Sequence, residues 1–170
     1  MSPSFSFQCS KCNEIHEGVP SFSFDAPALY YDIPETDREN RTFLTSEACV
    51  IDNEYFFAKG FLELPVDGLE ETLTFTPWVS LSEDNFFKFQ ESLDIADALQ
   101  YEPMFGWFCN NIDGFGDCEG LKTNLIFQNN NRPYINIERS EHPLSSAYHD
   151  GISQELMIVV IEDYLHRWSK

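Results

Sequence analysis

Hydrophobic and polar positions alternate in short stretches along most of the chain and change to helical spacing near its middle and its end. Phe5-Ser6-Phe7 alternates and leads into Cys9, as a short strand does. Residues 20–34 are broken by Pro20, Pro27 and Pro34 and predict a loop. Pro34 to Arg41 predicts a short helix, with proline at its first position, acids near its start and Arg41 at its end. Cys49-Val50-Ile51, the polar Asp52-Asn53-Glu54 and Tyr55 to Leu64 predict a hairpin. Thr72 to Thr76 alternates strictly and continues through Trp78 to Leu81. Pro77 removes a ladder donor between them, which predicts an edge strand or a bulge.

Ser82 is a good N-cap for a helix reaching about Leu93, with Phe86, Phe89 and Leu93 on one face. Met104 to Cys109 predicts a strand. Leu121 to Phe127 and Tyr134 to Ile137 flank a polar turn and predict a second hairpin. Asp150-Gly151 is a turn, and Ser153 caps a last helix. On that helix Leu156, Val160 and Tyr164, with Met157, Ile161, Leu165 and Trp168, form two adjacent apolar rows. Five or six strands with two or three helices predict an α+β fold with a mixed or largely antiparallel sheet. We take residues 1–170 as a single domain, with 5–20 as an N-terminal knuckle.

Length and composition narrow the class. One hundred and seventy residues with 42% hydrophobic and 15% aromatic content offer enough apolar surface for a stable core. A net charge of −19 excludes the clustered cations that nucleic acids and anionic membranes require. The start of the chain has neither the basic nor the apolar region of a secretory signal. The longest aliphatic run, Met157 to Ile161, falls far short of the roughly 20 residues that span a bilayer. A soluble cytoplasmic protein is the expectation. The five cysteines, an odd number in such a setting, argue against a disulfide framework.

Cys9-Ser10-Lys11-Cys12-Asn13-Glu14-Ile15-His16 carries the sharpest chemistry. Two thiolates two residues apart hold one Zn²⁺ in a tight turn, and His16 is near enough to be a third ligand. The turn favours a left-handed residue after the second cysteine, a place Asn13 can take. A tetrahedral site then needs one more donor from Cys49, Cys109, Cys118, His142 or His149. Cys49 is preferred, because a hairpin can return it beside the N-terminal strand. Thiol redox chemistry or plain packing are the alternatives. A redox motif would open a helix after a buried strand, and no helical pattern follows here.

His142 and His149 with Glu141 and Asp150 suggest an acid/base or metal constellation, although a bend at Pro143 with His142 capping or packing a loop is the simpler reading. Cys49 or Cys109 as a nucleophile beside His142 is weaker still. His166, in the last turn of the last helix, reads as a surface residue compatible with the helix dipole. Gly114-Phe115-Gly116 lacks the Lys-Ser/Thr of a phosphate loop. Trp78 and Trp107 read first as core and second as a cleft lining. The acids are spread along the chain, as a solvated surface or as a field that steers a basic partner.

Over nearly its whole length the chain resembles the bacterial family called domain of unknown function 2199. Cys9-Ser10-Lys11-Cys12 with His16, Gly18 and Pro20 is similar to the family's opening Cys-x-x-Cys-Gly-x-x-His-x-Gly-x-Pro, with Asn13 where the family usually has glycine. Glu47 to Asp52 followed by Phe56-Phe57 and Gly60, Trp78 to Glu83, Gly106-Trp107, Leu121-Lys122, and Arg132-Pro133 through His142-Pro143-Leu144 to Gly151-Ile152 also match. The resemblance implies no activity.

The expected function is a non-enzymatic, zinc-stabilised acidic binding module that engages a basic protein, in one form an immunity-type inhibitor of a basic toxin. The expected metal ligands are Cys9, Cys12, His16 and Cys49. The alternatives are a metal- or thiol-dependent enzyme with a pocket around His142, His149 and the tryptophans, and a house-keeping domain with a small ligand.

Overall fold

The computed structural model describes residues 5–94 and 101–167; residues 1–4, 95–100 and the predicted stripe residue Trp168 lie outside the described residues. In chain order the first elements are β1 (Ser6–Gln8), β2 (Ile15–Glu17), β3 (Ser21–Ser23), α1 (Ala28–Tyr31), α2 (Glu35–Arg41) and β4 (Thr42–Leu44). There follow β5 (Ala48–Ile51), β6 (Tyr55–Lys59), β7 (Leu62–Pro65), β8 (Thr72–Thr76), β9 (Trp78–Leu81) and α3 (Glu83–Leu93). The last are β10 (Met104–Phe108), β11 (Lys122–Ile126), β12 (Tyr134–Ile137), α4 (Pro143–Asp150) and α5 (Gln154–Leu165). The fold is α+β. A seven-stranded antiparallel sheet runs in the order β12-β11-β10-β9-β6-β5-β4, and a three-stranded sheet runs β3-β8-β7 with β3 parallel to β8. The ribbon β1-β2 pairs with neither.

Local sequence explains most boundaries. The β5–β6 connection has three residues, Asp52 to Glu54; Asp52 and Asn53 take left-handed φ values of 55° and 52°, and the Glu54 amide closes the turn on the Ile51 carbonyl at 3.0 Å. Ser82 caps α3 by accepting from the Asn85 amide, and Ser153 caps α5 by accepting from the Leu156 amide. Pro77 separates two strands of different sheets. β8 therefore ends as the centre of the small sheet, between β3 and β7, and β9 begins inside the large one.

Other segments differ from the sequence expectation. The proline-rich stretch 20–34 carries β3 and the single turn α1, because β3 borrows its ladder from β8. Pro143 starts a helix instead of bending a loop. His142 is its N-cap, and proline at the first position needs no amide partner. On α3, Ser92 takes the buried place and Leu93 stays exposed.

Each face of the large sheet has its own apolar cluster. The larger one joins Phe56, Val79, Leu81, Phe108, Leu125 and Ile137 to Phe86 and Phe89 of α3, Leu144 of α4 and Met157, Val160 and Ile161 of α5. The opposite face packs Ile33, Cys49, Ile51, Phe57 and Trp78. Trp78 is fully buried there and its indole N–H donates to the Phe24 carbonyl at 2.7 Å. Trp107, 46% exposed, stacks edge-on against Phe105 at 5.0 Å, so the two tryptophans do not share a cleft. No helix among the described residues is long and apolar enough to cross a membrane.

Gly106 lies where β10 presses on β9: a Cβ there would sit 2.6 Å from the Ser80 carbonyl oxygen. Backbone cannot yield as a side chain can. Gly106→Ala is therefore expected to destabilise the protein by about 2 kcal/mol and to lower Tm by roughly 4–8 °C in thermal unfolding. An unchanged Tm would mean the two strands do not pack this closely.

Candidate metal centre

The knuckle is built by local backbone chemistry. Strand β1 delivers Cys9, and the chain turns tightly so that the Asn13 amide donates to the Cys9 carbonyl at 2.9 Å and the Cys9 amide donates to the Glu14 carbonyl at 2.8 Å. Asn13 takes φ 63°, the left-handed conformation expected after the second cysteine. Its side chain accepts from Gln8 Nε2 at 2.9 Å, which holds the turn against β1. The Lys11 amide points at Cys9 Sγ, 3.4 Å away. β2 then returns antiparallel to β1 and sets His16 opposite Phe7.

Cys9, Cys12, His16 and His166 bring one ligand atom each to within 4.8 Å of one another. Cys12 Sγ lies 3.3 Å from His16 Nε2, and Cys9 Sγ lies 3.2 Å from His166 Nε2. A Zn²⁺ tetrahedron with about 2.3 Å to sulfur and about 2.0 Å to nitrogen has S···N edges of roughly 3.5 Å. These two edges are slightly shorter than that, and the two thiols and two imidazoles are the ligand types that zinc selects. Cys9 is buried, while the other three reach the surface. The Glu14 amide draws the Cys12 thiol down, but burial and the adjoining Cys9 sulfur push it up, and the net direction is up. Two close sulfurs resist ionising together. A divalent cation between them reverses that balance.

Cys49, the expected fourth ligand, is not part of this cluster; His166 stands there instead. Cys49 lies in β5 within the apolar cluster beside Ile51, Phe57 and Trp78, and burial pushes its thiol up to about 12. The hairpin does return it to the core, but on the far face of the sheet. Cys109 is also outside the cluster, with its thiol pushed to about 11 chiefly by burial. Cys118 is fully buried, its Sγ 3.5 Å from the Gly116 carbonyl oxygen. His142 is committed as a cap: its Nδ1 accepts from the Leu144 amide at 3.0 Å and its Nε2 donates to the Asp117 carbonyl at 2.7 Å. His149 Nε2 donates to the Ile137 carbonyl at 2.6 Å, and Asp150 pairs with Arg139. Both imidazoles serve local structure.

His166 was missed because its partner is 157 residues away, and no local spacing joins it to Cys9. It caps the C-terminal end of α5, where Glu162 and Asp163 also turn to the knuckle. Glu162, nearly buried, accepts from both the amide and the hydroxyl of Ser10, and Asp163 pairs with Lys11 at 2.8 Å. The knuckle and the end of the last helix thus hold each other through sulfur, imidazole, carboxylate and ion-pair contacts. The Ser10 hydroxyl, more than its amide or the Lys11 charge, holds the Glu162 carboxyl below the ordinary glutamate range against the opposing effect of burial.

A sequence model of the family described as "Uncharacterized protein conserved in bacteria (DUF2199)" matches residues 8–152. The chain belongs to that family. The matched span holds Cys9, Cys12 and His16 and ends before α5, so it does not include His166. No curated protein and no solved structure matches the chain.

Two predictions follow from this geometry. Elemental analysis of purified protein is expected to find about one zinc per chain, lost in Cys9→Ser and in His166→Ala but kept in Cys49→Ser. Stripping the metal is expected to lower stability by several kcal/mol, because ligand binding is coupled to folding. Zinc retained in His166→Ala would overturn the fourth-ligand assignment. Separately, a depressed carboxyl adds stability that is present above the ordinary glutamate range and is lost as pH falls through the depressed value. The stability difference between the wild type and Glu162→Gln should therefore be largest near neutrality and shrink on acidification, measured by denaturant unfolding across the acid range.

Proposed function

We propose that this member of DUF2199 is a zinc-stapled, non-catalytic binding module whose acidic surface engages a basic protein. In its sharpest form it is an immunity-type inhibitor lying over a basic active site. The observation that carries this reading is the closed donor set. Cys9, Cys12, His16 and His166 offer four protein ligands, as structural zinc sites do, whereas catalytic zinc keeps a position for water. Burial favours the neutral thiols of Cys49 and Cys109, which weighs against a thiol enzyme. Reduced cysteines suit a cytoplasmic setting, since only the thiolate ligates zinc.

The acidic surface supports the second half of the reading. Six cations, Lys11, Arg38, Arg41, Arg132, Arg139 and Arg167, are already engaged in internal ion pairs. Lys59 is buried and donates to Ser23 Oγ. Little positive charge is left to offset the remaining acids. Glu63, Asp67, Glu70 and Glu71 are exposed, and among the described residues none of them is in an ion pair. A field of this sign accelerates encounter with a basic surface and falls off over about 8 Å at physiological salt.

The test is capture from lysate on immobilised protein at low and at high salt. A basic protein is expected to be retained at low salt and released as salt rises. Once it is identified, neutralising Glu63, Asp67, Glu70 and Glu71 together should slow association by about tenfold while dissociation changes little. Retention of nucleic acid in its place, or of nothing at low salt, would refute the reading.

A further inference from the structure

Glu63, the first acid of the stretch from Glu63 to Glu71, lines a concave site that shares no residue with the metal cluster. A cavity of about 470 Å³ opens between β7, the β11–β12 hairpin and α4, with Phe61, Glu63, Tyr134, Tyr148 and His149 among its walls. Strand alternation makes it: β7 buries Leu62 and Leu64 and turns Glu63 and Pro65 outward. Tyr134, at the start of β12, is 40% exposed, and its ring centroid is 6.2 Å from that of Phe61. The floor is fixed by backbone. The Ile135 amide donates to the Phe61 carbonyl at 2.7 Å, and the Phe61 amide donates to the Pro133 carbonyl at 2.9 Å. Gly60 permits this approach, since a Cβ there would lie 2.9 Å from the Pro133 oxygen. The pocket is therefore preformed, and little ordering would be lost on filling it.

Its chemistry has a definite preference. Three aromatic rings surround one exposed carboxylate, and no Lys or Arg is among the lining residues. Glu63 and Tyr148 both line the cavity, and burial, then the Glu63 charge, push the Tyr148 phenol up. His149 Nε2 is occupied by the Ile137 carbonyl. Arg132 lies 5.8 Å from the Phe61 centroid, but Glu47 neutralises it at 2.8 Å. That contact also shows the Phe61 ring already sitting beside a guanidinium.

We propose that this pocket receives an arginine side chain of the basic protein partner; the proposal rests on the acidic-module reading and assigns that module its anchor point. A planar guanidinium stacks on aromatic faces and forks a carboxylate, which an ammonium does less well. The occupant is a protein because the exposed acids Asp67, Glu70 and Glu71 follow Glu63 closely along the chain but lie outside the lining, so a lone small cation in the cavity would leave them unmatched. An aromatic-walled anchor ringed by polar residues is the usual centre of binding energy in such a contact.

The experiment is a ¹⁵N-resolved NMR titration of the full zinc-loaded chain with a short peptide carrying one arginine among glycines and lysines. The same peptide with citrulline, and N-acetyl-arginine amide alone, serve as comparisons. Shifts are expected at Phe61 to Leu64, Tyr134, Ile135, Tyr148 and His149. The arginine peptide should bind at least about fivefold more tightly than its citrulline form. Glu63→Gln should abolish that preference, Tyr134→Ala should weaken the peptide by about threefold or more, and Asp67→Asn should leave it within about twofold. Both altered walls are solvent-exposed, so the fold is retained. Equal binding of the citrulline peptide, shifts spread evenly over the acids, or an unaffected Glu63→Gln would each overturn the assignment. N-acetyl-arginine amide binding as tightly as the peptide would make the occupant a small molecule and overturn it as a docking site. A captured basic protein whose retention ignores Glu63→Gln refutes the pocket and leaves the acidic module standing. Capture of no basic protein at low salt refutes the module itself.

Discussion

The meeting of the N-terminal knuckle with the end of α5 is the contact on which the arrangement of this protein turns. The β1–β2 ribbon shares no ladder with either larger sheet, and a two-stranded ribbon by itself is marginal in water. What holds it is apolar packing of Phe7 and Cys9 in the main core, together with the polar contacts of Ser10, Lys11 and Cys9 to Glu162, Asp163 and His166. A metal held by two residues of the knuckle, one of β2 and one at the end of α5 would close a loop of more than 150 residues, where a cross-link constrains the unfolded chain most. The same acids that look solvated in the sequence, Glu162 and Asp163, are the surfaces on which the knuckle rests.

That clasp leaves the rest of the molecule free to be shaped by aromatic packing. The large sheet is covered on both faces. The side with α3, α4 and α5 has the larger cluster, and the opposite side is closed by the segment that carries Phe24, Leu29, Tyr30 and Ile33. Where that cover ends, Phe105 and Trp107 face solvent on β10. At the edge of the sheet, β12 meets Phe61 through a single parallel bridge to Tyr134 and leaves the aromatic cavity beside β7. The metal centre and the cavity are thus products of different parts of the fold. One depends on the two ends of the chain, the other on a strand edge.

Much of this was legible in the residues. The caps at Ser82 and Ser153, the Asp52-Asn53 turn, the β5–β6 and β11–β12 hairpins and the knuckle with its left-handed Asn13 are decided by contacts within a few positions, whereas the predicted arm Tyr55 to Leu64 breaks into β6 of the large sheet and β7 of the small one. β3 and α1 were not legible, because β3 exists only through its pairing with β8 and α1 is a single turn beside it. α4 was hidden by Pro143, which stops a helix in its interior but suits its first turn.

The sequence by itself determined the class of structure, the strongly negative charge and three of the four clustered donors, because Cys9, Cys12 and His16 fall within one tight turn and its return strand. Only the tertiary structure decided the fourth. Cys49 and His166 are each far from the knuckle along the chain, and spacing treats them alike. The pleat of β5 sends Cys49 to the far face of the sheet, while packing of α5 against the core carries His166 to the sulfurs. Donors that are distant in sequence are chosen by which apolar faces are buried together, a property of the whole fold and of no single segment.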